Sequence, residues 1–309
     1  MPYKEQRSNG LPTQKAPLKV TMKKIIRYFF CGLAVGAADV VPGISGGTVA
    51  FILGIYHKLL DGIQAFNLRF FRLFLTGNFR AALGEIPWSF LVPLGLGIAC
   101  SIFSLAKTIS YLLDTYPKAA WSFFFGLIVS SLWMLARSIP FKGLRNILPF
   151  LCGFAFAWGL TGLKAFATEP SLPIYFASAF VAICAFLLPG VSGATMLVLL
   201  GQYKHVMDAV KTLDWQVLIV FGAGCVCGLL TFARVVSALL KHFPVAGTSL
   251  MLGLMFGSLR IVWPWQAHGY PALPPALDAT FGIALLCCLL GIALPPLLHA
   301  ISTRTQKPE

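Results

Sequence analysis

The chain has 309 residues, of which 58% are hydrophobic and only 11% are charged. A soluble globular chain carries about 25% charged residues, so this composition excludes an ordinary soluble domain and indicates several membrane-spanning helices of about 20 residues each. The formal net charge of +14 lies mainly in the N-terminal tail and in short loops. Basic residues in tails and short loops set the orientation of a membrane protein, because they stay on the cytoplasmic side. This distribution does not form a face for nucleic acid.

The predicted elements begin with a basic tail, residues 1–23, which we expect in the cytoplasm. The apolar segment that follows is interrupted by the run VVPGISGGTVAFILGIY (40–56), whose Pro and Gly residues break a helix. The next loop carries Arg69, Arg72 and Arg80 and is therefore also cytoplasmic. The broken segment must then turn back inside the membrane or cross an even number of times.

A second break occurs in the other half of the chain. Its apolar arms, 174–188 and 191–203, are short for a complete span and are typical of a re-entrant pair. Unbroken helices are expected between and after the two breaks, and the last of them returns the C-terminus to the cytoplasm. These predicted helices lie near 88–113, 119–137, 146–166, 215–240, 246–262 and 280–300.

The two halves are related by an internal repeat. Residues 42–63 align without gaps to 189–210, with nine of 22 positions identical, and residues 95–134 align to 222–261, with 14 of 40 identical. Composition alone does not keep such a register over two blocks, so the chain is a duplication. A single helix between two even-numbered repeats makes the repeats inverted.

The sequence therefore predicts an all-α polytopic membrane protein with inverted-topology repeats, each with a re-entrant broken-helix hairpin followed by transmembrane helices. The predicted divisions are the cytoplasmic tail (1–23), repeat 1 with two transmembrane helices (24–138), a linking transmembrane helix (139–171), inverted repeat 2 (172–264), and a final helix with a cytoplasmic C-terminus (265–309).

The two breaks are the candidate site. Non-helical backbone inside a membrane is tolerated where it is buried in protein or lines a cavity, and half-helices starting near Ser45 and Ser192 would present amide groups there. Thr48 and Thr195 add hydroxyls one turn later. These groups can bind an anion without a fixed cation. A packing kink that lets helices approach closely is the alternative, but the recurrence of the hydroxyls at both breaks favours a functional site.

Four charged residues lie within or beside apolar segments, where burial of a charge is costly, so each needs a partner or a role. Lys107 and Arg234 are equivalent in the repeat alignment, and we expect them to bind the anion unless they snorkel to the interface. Asp39 faces Phe186 in the alignment, and either an ion pair or a coupling role is open. Arg260 fits an interfacial anchor better than a ligand contact.

The two PG(I/V)SG(G/A)T motifs, each followed by a short apolar arm and Gly-x-Tyr, resemble the undecaprenyl-phosphate translocase (PopT) family over residues 24–298. The resemblance implies a flippase of the bacterial inner membrane that recycles a lipid carrier from the outer to the cytoplasmic leaflet for peptidoglycan and envelope polysaccharide synthesis. Ala194 opposite Gly47 is the visible departure between the two motifs. By motif match, the implied phosphate-binding residues are Pro42, Gly43, Ser45, Gly46, Gly47, Thr48, Pro189, Gly190, Ser192, Gly193 and Thr195.

The expected partner is a polyprenyl monophosphate lipid in the membrane. No metal or cofactor is expected, and coupling to protons or sodium, as well as homo-oligomer formation, is left open. A transporter of a small soluble anion through the same paired breaks is the alternative. An enzyme such as a lipid phosphatase is disfavoured, because neither break contains His and no Ser/His/acid cluster recurs.

Overall fold

The computed structural model describes residues 21–40, 45–137, 143–163, 168–267, 270–274 and 278–304. Over these ranges the chain is almost entirely helical, apart from a short antiparallel pair of strands, β1 (Gln266–Ala267) and β2 (Tyr270–Pro271). The helices are α1 (Met22–Val40), α2 (Gly46–Ile52), α3 (Tyr56–Gln64), α4 (Leu68–Leu75), α5 (Phe79–Gly84), α6 (Trp88–Thr115), α7 (Pro117–Ala136), α8 (Leu144–Leu160), α9 (Leu172–Leu187), α10 (Gly193–Leu199), α11 (Tyr203–Thr212), α12 (Trp215–His242), α13 (Pro244–Val262) and α14 (Ala279–Arg304).

Among the described residues, five helices are long and apolar enough to cross a membrane, namely α6, α7, α12, α13 and α14. Helices α8 and α9 are apolar but shorter. The all-α polytopic membrane class predicted from the sequence is confirmed. The predicted helix at 146–166 is observed as α8, which ends earlier, at Leu160, because Thr161 and Gly162 close it with a turn.

Equivalent turns join α6 to α7 in the first repeat and α12 to α13 in the second. A single residue separates α6 from α7 and α12 from α13, and Pro117 and Pro244 open the second helix of each pair. Proline suits the first helical turn, since its fixed φ is helical and its missing N–H would have no partner there. Both repeats therefore reverse direction at the same place in their sequence.

Helices α1 and α6 run parallel and in close contact. A Cβ atom at Gly32 would collide with the Leu94 carbonyl, and one at Gly97 would collide with the Phe29 carbonyl. In the other repeat, a Cβ at Gly224, the counterpart of Gly97, would collide with the carbonyl of Phe176 on α9. Small residues let helix backbones approach in a membrane, and the same close contact is built twice.

A second pair of matching contacts involves the last helix of each half. A Cβ at Gly126 of α7 would collide with the Cys288 carbonyl of α14, and one at Gly253 of α13 would collide with the Phe150 carbonyl of α8. Because Gly126 and Gly253 are equivalent in the repeat alignment, α14 and α8 occupy corresponding places. Each packs against the other half of the chain.

We expect Gly97→Ala to lower the midpoint of thermal unfolding in detergent by several degrees, since an added methyl group at this contact forces α1 and α6 apart at a cost of about 1–3 kcal/mol. Gly95→Ala is the matched control on the same helix, because no atom lies within 4 Å of its new Cβ. Equal melting temperatures for the two variants would contradict the close α1–α6 contact.

Candidate functional site

The two breaks lie against each other. The first falls between α1 and α2, and the second falls between α9 and α10. Three residues of the first motif, Pro42, Gly43 and Ile44, lie outside the described residues. The remaining motif residues of both halves are described, and the structure brings the two motifs into direct hydrogen-bonded contact.

We call Ser45 with α2 and α3 the first hairpin, and Ser192 with α10 and α11 the second hairpin. Three hydroxyls of the first hairpin contact the main chain of the second break. Ser45 Oγ donates to the Phe186 carbonyl at 3.4 Å, and the hydroxyl of Tyr56 donates to the Leu187 carbonyl at 2.5 Å. The amide of Gly190 donates to Thr48 Oγ1 at 2.7 Å. These bonds satisfy backbone groups that the end of α9 leaves open, in a part of the protein where water is scarce.

The glycines of the breaks allow a backbone approach that other residues would prevent. Gly190 has φ +89°, which favours glycine, and a Cβ there would lie 2.7 Å from the Leu254 carbonyl oxygen. A Cβ at Gly47 would lie 2.9 Å from the carbonyl oxygen of Phe186, and one at Gly193 would lie 2.8 Å from that of Ala182. Packing therefore accounts for these glycines, whereas it does not by itself require the hydroxyls beside them.

Asp39 caps the first half-helix. Its Oδ1 accepts a hydrogen bond from the amide of Gly46 at 2.7 Å, at the start of α2. No Lys, Arg or His among the described residues forms an ion pair with it. The second half has Phe186 at this position, and Ser192 Oγ instead accepts from the Thr195 amide at 3.5 Å to cap α10. The two half-helices are thus capped by different chemistry.

The second break lines a small cavity, together with the ends of α8 and α13. Hydroxyl-bearing residues Thr161, Ser192 and Thr195 contribute to its wall. The cavity has a volume of only about 10 Å³, which is room for a single water molecule. A phosphate group does not fit in this conformation, so anion binding at the second break requires the surrounding helices to move.

The two hairpins differ sharply in burial although their sequences correspond. Tyr56 is 1% exposed and its counterpart Tyr203 is 42% exposed, and Leu60 is 1% exposed where Met207 is 39% exposed. Helix α3 packs across the repeats against α12. Within the part of the chain that the structure describes, α11 has no packing of this extent against α6. The structure is therefore asymmetric, with the first hairpin docked and the second exposed.

The three cationic candidates lie away from these hydrogen bonds. Lys107 and Arg234 are exposed on α6 and α12, and over the described ranges no hydrogen bond joins either of them to a break. A 28-residue helix is about 42 Å long, longer than the roughly 30 Å apolar layer, and the apolar window of α6 ends at Leu105. This position makes snorkelling available to Lys107. Arg260 lies over the Trp158 ring at 5.1 Å, an aromatic contact that suits an interfacial anchor.

Sequence reasoning did not identify the carbonyl acceptors at the end of α9. The sequence shows Tyr56 and Tyr203 only as the tyrosines of the Gly-x-Tyr that follows each motif. That retention was the available signal, because a buried tyrosine hydroxyl needs a partner, and the nearest open carbonyls are those at the end of a broken helix. The partner itself, Leu187, lies 131 positions away in the chain and no local pattern indicates it.

Broken helices that meet in the interior of a duplicated, multi-pass membrane protein are the arrangement found in secondary transporters. The comparison with known families agrees. Residues 35–272 match the model of the VCA0040-like family, described as undecaprenyl phosphate translocase-like. The chain belongs to this family.

Two relatives are both named polyprenyl-phosphate transporter. The chain is 45% identical over 235 residues, 76% of its own length and 76% of the relative's, to a polyprenyl-phosphate transporter of Vibrio cholerae serotype O1. It is 27% identical over 294 residues, 89% of its length and 96% of the relative's, to a polyprenyl-phosphate transporter of Staphylococcus aureus. No solved structure matches the chain.

Proposed function

We propose that the protein is a flippase for a polyprenyl monophosphate, undecaprenyl phosphate, and that it returns this lipid carrier from the outer to the cytoplasmic leaflet of the bacterial inner membrane. The family and the names of two relatives support the substrate class. The observation that carries the proposal is the bond between Thr48 and Gly190, because it joins the two motifs in one site. The basic tail and basic loops favour cytoplasmic termini.

The phosphate headgroup would bind at the paired breaks, while the polyprenyl tail stays in the lipid. Hydroxyls of Ser45, Thr48, Ser192 and Thr195 and the nearby amides supply neutral donors. In the present conformation several of these groups bind each other. A phosphate would therefore replace Thr48 and Ser192 as the acceptor for the Gly190 and Thr195 amides. The Phe186 carbonyl is itself an acceptor, so it needs another donor when Ser45 turns to the phosphate.

Two observations support inverted repeats and alternating access. The ring of Phe125, in the first half of α7, lies 5.2 Å from that of Trp263, which directly follows the end of α13. This contact favours opposite directions for the two equivalent helices. The different burial of Tyr56 and Tyr203 supports two alternating states, in which one hairpin docks while the other is exposed.

The matching glycine contacts of α8 and α14 support a revised division into repeats. We assign α8 to the first repeat and α14 to the second, so that each repeat has one hairpin and three following helices. An odd number of crossings per repeat also inverts the second repeat. The division with a separate linking helix (139–171) also inverts the second repeat, because it places one crossing between two repeats that each cross the membrane an even number of times.

A small soluble anion remains the second candidate ligand for the same breaks. No observation on the structure favours it, and the lipid is favoured by the family. Free phosphate that competes fully with the lipid, without any lipid requirement for its own transport, would select the soluble anion. Release of inorganic phosphate from labelled lipid would instead select an enzyme.

Ser45→Ala/Ser192→Ala is expected to lower headgroup affinity at least ten-fold, because a hydrogen bond to a charged group is worth roughly 1.5–3 kcal/mol. The measurement is exposure of the lipid phosphate to a membrane-impermeant phosphatase, in liposomes with and without the protein. Ser104→Ala is the control, since its hydroxyl bonds only to Cys100 of its own helix. Unchanged transport in the double variant would show that the proposed phosphate site is wrong.

Substitutions of the two equivalent tyrosines, Tyr56 and Tyr203, are expected to affect different properties, stability in the first case and transport in the second. Tyr56→Phe removes the bond to Leu187 and leaves a buried carbonyl unpaired, so it should lower unfolding stability by about 1–3 kcal/mol. Tyr203→Phe should leave the melting temperature unchanged, yet slow transport, because its hydroxyl is needed only when the second hairpin docks. Full transport by Tyr203→Phe would argue against a symmetric alternate state.

We assign a coupling role to Asp39, with protons as the coupling ion and sodium as the alternative. Asp39→Asn keeps an oxygen that can accept from the Gly46 amide, so we expect a folded protein with an unchanged melting temperature. Its transport should no longer respond to an imposed pH gradient that stimulates the wild type. A variant that keeps this response contradicts the role, and a wild type that responds to sodium alone selects the other ion.

A further inference from the structure

A cluster of hydrogen-bond donors lies where α3 meets the beginning of α1. One face of α1 carries residues that are three or four positions apart, namely Lys24, Arg27, Tyr28 and Cys31. Lys58 of α3 reaches this face, where its Nζ donates to the Tyr28 hydroxyl at 2.7 Å and lies 5.1 Å from the centre of the ring. Arg27 and Lys58 both lie close enough to the Cys31 thiol to act on it electrostatically. Two cations and a phenol from two helices therefore meet in one place.

The hydroxyl of Tyr28 has a donor but no acceptor. Tyr28 is 8% exposed, and its ring packs edge-on against Phe90 of α6 at 4.9 Å between the ring centres, so the position of its hydroxyl is fixed. An ammonium group only donates hydrogen bonds, so the bond from Lys58 uses a lone pair of the phenol and leaves its O–H unused. Among the described residues, no group accepts from this O–H. The O–H is therefore available to an acceptor on a ligand.

No carboxylate among the described residues is paired with the two cations of the cluster. Asp61, three residues after Lys58 on α3, is paired with Lys241 at 3.9 Å. Glu85, which precedes α6, is paired with Arg69 at 3.2 Å. The cluster thus offers donors and uncompensated positive charge, which is the chemistry that binds an anion.

The other half of the chain does not repeat the cluster. Tyr175 is the equivalent of Tyr28 in the register that aligns the two breaks, and it is also buried, with 9% exposed. In the same register an isoleucine and a histidine, Ile174 and His205, replace the two cations. Packing accounts for a tyrosine in both halves, whereas the cations belong to the first half alone. The cluster therefore lies at one end of the molecule only.

We propose that Arg27, Lys58 and the O–H of Tyr28 form a second phosphate site, which binds the monophosphate headgroup at the cytoplasmic end of its path. The proposal rests on the proposed function and adds a station outside the paired breaks. Arg27 is twelve residues from Asp39 on α1, or about 18 Å, so one headgroup cannot contact both sites at once. Lys58 lies two positions after Tyr56, whose hydroxyl bonds to the second break, so both sites border the docked hairpin. A doubly charged monophosphate suits two cations and a neutral donor.

Arg27→Gln/Lys58→Gln tests the site. The probe is undecaprenyl phosphate, titrated into the purified full-length protein in detergent, and bound lipid is counted by native mass spectrometry. We expect the affinity to fall at least about ten-fold, because two charge-assisted hydrogen bonds to the phosphate are lost. Arg72→Gln/Lys204→Gln is the matched control, since it removes one arginine and one lysine from exposed positions on α4 and α11. Equal affinities of the two double variants would overturn the site.

Tyr28→Phe separates a defined site from general surface charge. The variant keeps every charge and keeps the ring beside Phe90, and it removes only the hydroxyl. We expect its affinity for undecaprenyl phosphate to fall several-fold at an unchanged melting temperature. An affinity equal to that of the wild type would reduce the cluster to non-specific charge and overturn the site.

Competition shows whether the ligand is the lipid or free phosphate. Displacement of the lipid by an equal concentration of inorganic phosphate would show that the site binds the anion alone. Displacement that needs about ten-fold more phosphate, or more, would assign the site to the headgroup of the lipid. Either result supports a monophosphate site. Equal competition by phosphatidylglycerol, whose phosphodiester carries a single charge, would overturn it.

Lipid transport in liposomes, measured in parallel, separates this site from the proposed function. If the wild type moves the lipid phosphate while Arg27→Gln/Lys58→Gln binds it as tightly as the wild type, only the second site is wrong. If the wild type moves no lipid phosphate, the proposed function fails, even where the double variant and Tyr28→Phe weaken phosphate binding.

Discussion

The structure depends on one constraint, which is that a broken backbone inside a membrane must find hydrogen-bond partners within the protein. At the second break those partners come from the first hairpin, through Ser45, Thr48 and Tyr56. The two halves are therefore held together by polar bonds at their least regular points. Any motion that separates the breaks must exchange these bonds for others, since leaving them open costs about 1–3 kcal/mol each.

The glycine contacts indicate which parts can move. Where a Cβ atom would collide with a carbonyl, as between α1 and α6 or between α8 and α13, the backbones are in direct contact and have little room to slide. The short helices α2, α3, α10 and α11 are attached at breaks and turns. Motion of the hairpins against firmly packed helix pairs consequently costs less free energy than motion of the two helices within a pair.

Much of this fold could be predicted from the sequence. Apolar length gave the spanning helices, Pro117 and Pro244 marked equivalent turns, and the duplicated motif located both breaks. Which hairpin is docked could not be predicted, because Tyr56 and Tyr203 follow the same motif and differ in burial through contacts with distant helices, such as the packing of α3 against α12. The cap by Asp39 was missed for a related reason: its partner Gly46 becomes reachable only once the chain turns at the break.

A site of hydroxyls and amides suits a carrier better than a site with a buried cation. A translocated headgroup must bind strongly enough to replace its water and weakly enough to leave, the same balance that governs ion permeation. A fixed cation deep in the membrane would be costly without the substrate and would hold a phosphate tightly with it. Lys107 and Arg234, exposed toward the helix ends, can attract the phosphate from the surface without trapping it. We therefore propose that Lys107 and Arg234 attract the phosphate over a long range, and that the neutral donors of the two breaks recognise it at short range.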